Sequence, residues 1–248
     1  MPCNNIPLVL LPGLLNDERL WAHQVAAFEP SRSVFVADLA QDDSIAQMAR
    51  RTLEQAPPLF ALAALSMGGY VAMEIMRQAP ERVVALALFD TMVRPDSEDR
   101  ARVRRGLLEL AKLGKFMGVT PHLLPKIIHP RSIGTAAAQQ VMDMAQSIGR
   151  EGFIRQQQAI IEREDYRSLL ETISVPTLIV VGENDEITPL EESEFTRQGI
   201  AGSRLVILPE CGHLPPLEYP QRTTELLQEW LVGADLSAKR FTQFNTAS

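Results

Sequence analysis

Six short aliphatic runs punctuate this chain, and none of them alternates apolar with polar residues. They are PLVLL from Pro7, SVFVADL from Ser33, LFALAAL from Leu59, VVALALFD from Val83, TLIVVG from Thr177 and RLVILP from Arg204. A strand with one wet face alternates, whereas a strand covered on both faces does not, so these runs suit a buried parallel sheet. Helical spacing fills the gaps. Trp21, Val25 and Phe28 lie at i, i+4 and i+7, and Ile45, Met48, Ala49 and Leu53 repeat the pattern. Leu226, Leu227, Trp230 and Leu231 form another such face. The segment after Ser66 is apolar nearly all round and stops at Pro80, which predicts a deeply buried central helix. Strand then helix, repeated, predicts an α/β fold with a doubly wound, mostly parallel sheet.

Residues 92–175 break the alternation. They hold no strand-like run, and their helical pattern is interrupted at Gly114, Gly118, Pro121, Pro125, Pro130 and Gly149. This predicts a helical cap or lid inserted over the carboxyl edge of a sheet built from 1–91 and 176–232. Residues 233–248 are polar and aperiodic, which predicts a flexible C-terminal tail.

Composition narrows the partners. Of 248 residues, 46% are hydrophobic and 22% charged, an ordinary globular balance. A net charge of -7 argues against nucleic acid or an anionic membrane as partner. Two cysteines, Cys3 and Cys211, make no disulfide framework and fit a reducing compartment. No apolar run approaches the roughly 18 residues of a bilayer span. No basic residue precedes the apolar stretch near the N-terminus, as a signal peptide would require. The expectation is a cytoplasmic protein with a small-molecule partner; a homo-oligomer stays open.

Ligands of such sheets bind beyond the carboxyl ends of the strands. After the third run comes ALSMGG, where small residues at Ala64, Gly68 and Gly69 allow a very tight strand-to-helix turn. Such a turn strains its tip and pushes the Ser66 hydroxyl outward, at the positive end of a helix dipole. The plainer reading of Ser66 is a helix N-cap. After the fifth run comes GENDEITP, with Asp185 either a functional acid or a surface turn residue. After the sixth comes CGHLPPLEYP, which places His213 in the last turn of the sheet edge.

The sequence A-L-S-M-G resembles the G-x-S-x-G nucleophile elbow of the α/β-hydrolase superfamily, with Ala64 in place of the first glycine. GENDEITP resembles that family's acid-bearing turn, and CGHLPPLEYP its G-H-x-x-x-x-E-x-P histidine segment. The order Ser66, Asp185, His213 is the family's order. The resemblance implies a serine hydrolase with these three as catalytic residues, needing no cofactor and no metal. Ser66 would attack, His213 would carry the proton and Asp185 would orient the imidazole. The backbone N–H groups of Met67 and Leu14 would form the oxyanion hole, although Pro12 stands where the family usually has histidine. Asp90, at the end of the fourth run, is an alternative acid, because some family members place theirs there. A serine at the elbow excludes the branches with an aspartate nucleophile.

The implied substrates are small carboxylic esters or lactones. A C–C bond hydrolase or lyase could use the same three residues, and a ligand-binding protein or receptor on a hydrolase fold is a further alternative that loss of one of them would favour. DSEDRARVRR reads as a solvated helix face, with Arg94 or a neighbouring arginine as an alternative carboxylate binder. Met117, Met142 and Met144 read as core or as pocket wall, and Cys211 as a small packing residue. His23, His122 and His129 have no metal-ligand spacing.

Overall fold

A computed structural model describes residues 5–245, with side chains described for 5–235. Cys3 lies outside the described residues. All six aliphatic runs are strands: β1 (Leu8–Leu11), β2 (Val34–Val36), β3 (Phe60–Leu65), β4 (Val83–Phe89), β5 (Thr177–Gly182) and β6 (Arg204–Leu208). They form one sheet in the order β2-β1-β3-β4-β5-β6, and every pair is parallel. Chain direction along the sheet reverses between β1 and β3, so a crevice opens beyond their carboxyl ends. β1, β3, β4 and β5 are buried throughout, while the edge strands β2 and β6 are half-buried.

Alternate residues of each central strand feed two separate cores. Leu8, Leu10, Ala61, Ala63, Leu65, Ala87 and Phe89 pack against α1 (Ala22–Phe28) and α8 (Pro220–Asn245), where Phe28, Leu226, Leu227 and Trp230 meet them. Val9, Leu11, Leu62, Ala64, Leu86 and Leu88 pack against α2 (Ile45–Gln55) and α3 (Met67–Gln78). The alanines of β3 let helices come close on both faces. α6 (Leu190–Gly199) and the single turn α7 (Pro215–Glu218) complete the frame.

Residues 92–175 contain no strand. They form α4 (Glu98–Lys112), an irregular stretch with short 3-10 turns at Leu124–Lys126 and Pro130–Ser132, and α5 (Ala136–Ile161). α5 is broken at Gly149, which takes φ +68°. A small third core of Leu15, Ala111, Ala145 and Phe153 joins this insert to the turn after β1. Among the described residues no helix is long and apolar enough to cross a membrane.

The expected loose tail is helical instead. α8 continues through Asn245, and residues 246–248 lie outside the described residues. Ala234 is fully buried, and the Asp235 carboxylate accepts from the Arg32 guanidinium at 3.1 Å and from the Ile6 N–H at 3.0 Å. Ala234 and Asp235 are thus held by long-range contacts that periodicity cannot register.

Gly182, the last residue of β5, lets the turn after β6 lie directly against it. A Cβ on Gly182 would meet the Gly212 carbonyl oxygen at 1.9 Å, whereas one on Gly233 meets nothing within 4 Å. Gly182→Ala is expected to cost more than about 2 kcal/mol in urea unfolding, because two backbones must part. Gly233→Ala, in a helix, is expected to be neutral or to stabilise by up to about 1 kcal/mol.

Candidate active site

Ser66 occupies the junction of β3 and α3 with φ +55° and ψ -117°, a conformation costly for any side chain. Its own N–H donates to the Phe89 carbonyl at 3.0 Å, and the Thr91 hydroxyl donates to its carbonyl at 2.8 Å. These bonds hold the tip in place. Ser66 makes no side-chain cap to α3, so its hydroxyl is not an N-cap. It faces His213 Nε2 at 2.8 Å.

His213 follows β6, and its backbone N–H donates to the Ile127 carbonyl at 2.8 Å. Its Nδ1 lies 2.7 Å from Asp185 Oδ2. Asp185 sits in a turn after β5 and receives three further bonds: the Ile187 N–H at 2.7 Å and the Thr188 N–H at 3.1 Å on Oδ1, and the Thr188 hydroxyl at 2.5 Å on Oδ2. Burial pushes the Asp185 carboxyl up, but the His213 imidazole and these donors outweigh it and hold the group below the usual carboxylate value. An ionised carboxylate only accepts, so Nδ1 must donate. In the neutral imidazole Nε2 then presents a lone pair to the Ser66 hydroxyl. Ser66, His213 and Asp185 are all buried.

Sequence reading did not single out Thr188, although its place three residues past Asp185 in a turn is where a hydroxyl can return to the carboxylate. Glu218 was legible only as a letter of the histidine segment. Its carboxylate accepts from the N–H groups of Gly212 at 3.0 Å, Leu214 at 3.2 Å and His129 at 2.8 Å, and from the Ser132 hydroxyl at 3.2 Å. It therefore shapes the turn that carries His213.

Leu14 lies in the turn after β1, and its N–H has no acceptor among the described residues. The neighbouring Leu15 N–H is committed to Gln156 Oε1 at 3.0 Å. Met67 opens α3, where the first N–H groups have no partner within the helix. A Cβ on Gly13 would lie 3.2 Å from the Ser66 Cβ, so this turn closes over the serine.

Ser66, His213 and Leu14 open on a cavity of about 540 Å3 between the sheet edge and the insert. Its walls are largely apolar, with Leu107, Phe116, Val119, Phe153 and Ile160 among them. Met117 lines the mouth at 80% exposure, whereas Met144 is core and Met142 packs beside it. Arg94 is not in this cavity: it stacks on Phe195 at 4.0 Å and pairs with Glu192 at 3.5 Å. Arg104 is the arginine in the wall, held by Asp96 at 2.6 Å and Gln157 at 3.1 Å. The helix read as a solvated face thus turns one of its arginines inward.

Asp90 does not touch His213 by a hydrogen bond; its Oδ1 accepts from the Gly182 N–H at 2.8 Å. Asp90, Asp185 and His213 are the one group among the described residues close enough to share a cation, but both His213 nitrogens and both Asp185 oxygens already have partners. Cys211 is buried beside them as a free thiol that burial, above all, keeps protonated.

Residues 8–226 match the model of the alpha/beta hydrolase family. The chain belongs to that family. It is 28% identical over 239 residues to a pimeloyl-[acyl-carrier protein] methyl ester esterase of Nitrosomonas europaea, covering 88% of this chain and 93% of that one. A thermophilic esterase of Thermogutta terrifontis superposes with a TM-score of 0.83 at 28% identity, over 93% of this chain and 90% of the other. The enol-lactonase of Burkholderia xenovorans shares the fold, with a TM-score of 0.79 at 23% identity and 92% of each chain covered. The chain is an alpha/beta hydrolase with esterases among its relatives.

The electrostatics of the family site yield a pH expectation. Asp185 is held below the usual carboxylate range, so it takes up no proton as the pH falls from neutrality toward 5. The logarithm of the rate at which a fluorophosphonate labels Ser66 should therefore fall with a slope of one in pH. A slope of two would mean that Asp185 takes up a proton in the same range.

Proposed function

We propose that the protein hydrolyses carboxylic esters or lactones of small molecules through an acyl-enzyme on Ser66. The observation that carries this reading is the unbroken hydrogen-bonded chain Ser66–His213–Asp185 opening on an apolar cavity. The Ser66 hydroxyl adds to the carbonyl carbon while its proton passes to His213 Nε2. The resulting imidazolium is stabilised by Asp185, which also holds the ring in the tautomer that makes Nε2 the base. The backbone N–H groups of Leu14 and Met67 take the negative oxygen of the tetrahedral adduct, where one such donor is typically worth about 10²- to 10³-fold in rate. The imidazolium then gives its proton to the departing alkoxide. Water, activated by the same imidazole, adds to the acyl-enzyme and releases the acid. None of these steps needs a cofactor.

The insert acts as a cap. It closes the cavity above Ser66, excludes bulk water and sets the length of acyl group that fits. The names of the relatives support an ester over a carbon acid: one is a methyl ester esterase, another an esterase. A C–C bond cleavage would use the same three residues on a different electrophile.

Three measurements test the reading. Ser66→Ala should abolish turnover of p-nitrophenyl butyrate, and a fluorophosphonate should label Ser66 in the unmodified protein; residual turnover or a label elsewhere would sink the covalent mechanism. Asp185→Asn should lower kcat by on the order of 10³- to 10⁴-fold, because an amide no longer selects the useful tautomer. Asp90→Asn should cost far less, and the reverse ranking would move the acid to β4. Butyrate should exceed palmitate in kcat/KM below micellar concentrations, and a preference for palmitate would make the insert an open lipase-type lid.

A further inference from the structure

Asp90 is the buried acid that this mechanism leaves idle. It ends β4 at 0% exposure, with φ +43°, and its Oδ2 is buried with no hydrogen-bond partner among the described residues. The carboxyl of Asp185 stands against it: a carboxyl oxygen of each residue and a ring nitrogen of His213 lie within 4.8 Å of one another. Two carboxyl groups this close and this dry cannot both ionise. Asp185 accepts four hydrogen bonds, one from an imidazole, whereas Asp90 accepts one, from Gly182. The proton therefore belongs on Asp90.

We propose that Asp90 is a neutral carboxylic acid whose Oδ2–H donates to Asp185, making it a positioning residue behind the imidazole's partner. Burial first, and then the Asp185 charge, raise the Asp90 carboxyl well above its usual value; the Glu218 carboxylate acts in the same direction. The Gly182 N–H opposes them, and His213 and Cys211 are the other titratable groups in this pocket. The proton's place does not depend on the proposed hydrolysis, but its catalytic consequence rests on that reading. The proton satisfies Oδ2 and gives Asp185 a fifth donor, so that carboxylate is held in place and the lone pair aimed at His213 is tempered.

Folding must then take up a proton. The unfolded aspartate ionises near ~3.9, so above that pH the wild type releases one proton on unfolding. The contribution of Asp90 to stability is full below the unfolded value and declines as pH rises toward the folded one. Asparagine reproduces the pattern without titrating: its oxygen accepts from Gly182, its amide donates to Asp185, and it tolerates positive φ.

Thermal melts of the wild type and Asp90→Asn between pH 5 and pH 8, at one ionic strength, read this directly. The Tm of Asp90→Asn minus that of the wild type should widen as pH rises. A constant or narrowing gap would overturn the proposal, as would a wild-type Tm that drops in EDTA, which would put a cation where the proton is assigned. If Asp90→Asn does not fold, carboxyl 13C NMR of the wild type decides: one aspartate carbon should stay at the protonated position at pH 7, and its absence overturns the assignment. Fluorophosphonate labelling of Ser66 against pH reads the positioning role. Asp90→Asn should slow it less than about tenfold and keep the wild-type midpoint, whereas Asp90→Leu, which lacks the donor, should slow it more and move the midpoint upward. A midpoint about a unit lower in Asp90→Asn would mean that an ionised carboxylate had been removed. A wild type that is not labelled at Ser66 would sink the hydrolytic reading and leave the melts to judge Asp90.

Discussion

Everything at the carboxyl edge depends on how closely α3 approaches β1 and β4 just beyond Ser66. A Cβ on Gly68 would stand 2.6 Å from the Leu11 carbonyl oxygen, and one on Gly69 would stand 2.2 Å from the Thr91 hydroxyl. With hydrogen in those places, the helix starts at once where the strand stops, and the serine between them must adopt φ +55°. That conformation costs on the order of 1–3 kcal/mol. Burial of α3 from Met67 through Met76, and the bonds to Phe89 and from Thr91, offset the cost. The strain is what leaves the hydroxyl free of a capping role and available to His213.

The second constraint is mechanical. His213 takes its place from the insert as much as from β6, since its backbone donates to Ile127 and its turn is bound by Glu218, which also holds His129 and Ser132. A movement of residues 127–132 therefore cannot leave the imidazole behind. The cavity wall and the imidazole above it are parts of one hydrogen-bonded unit, so opening the cavity at this end would disturb the Ser66–His213 distance.

What could be read in the sequence follows a physical division. The six strands were legible because a strand covered on both faces must be apolar at every position, which is a local property. Ser66, Asp185 and His213 stood out because each follows a strand, and the roles expected of them came from the resemblance of those three turns to α/β-hydrolase motifs. What escaped depends on partners far along the chain. The inward turn of Arg104 in DSEDRARVRR is imposed by Asp96, which is buried because Arg163, just past α5, also reaches it at 2.9 Å. Asp235 in α8 is held likewise by Arg32 and Ile6, more than two hundred residues away. Thr188 escaped because a hydroxyl gains a role there only once Asp185 is known to turn back on it.

The same long-range logic sorts the buried acids around the cavity, and it sorts them by donors. Asp96 is held below the usual carboxylate value because Arg163 and Arg104 outweigh its burial. Asp185 is held below it by an imidazole, a hydroxyl and backbone N–H groups. Asp90, the most deeply buried, has one N–H and a carboxylate for a neighbour, and it alone of the three is driven up. Burial pushes all three up, most strongly Asp90, and what opposes it decides where each settles. The difference lies in what each side chain meets once out of water: two guanidiniums, an imidazole, or another acid. In the proposed mechanism a negative charge is thereby kept on Asp185, where it can stabilise an imidazolium, and withheld from Asp90 behind it.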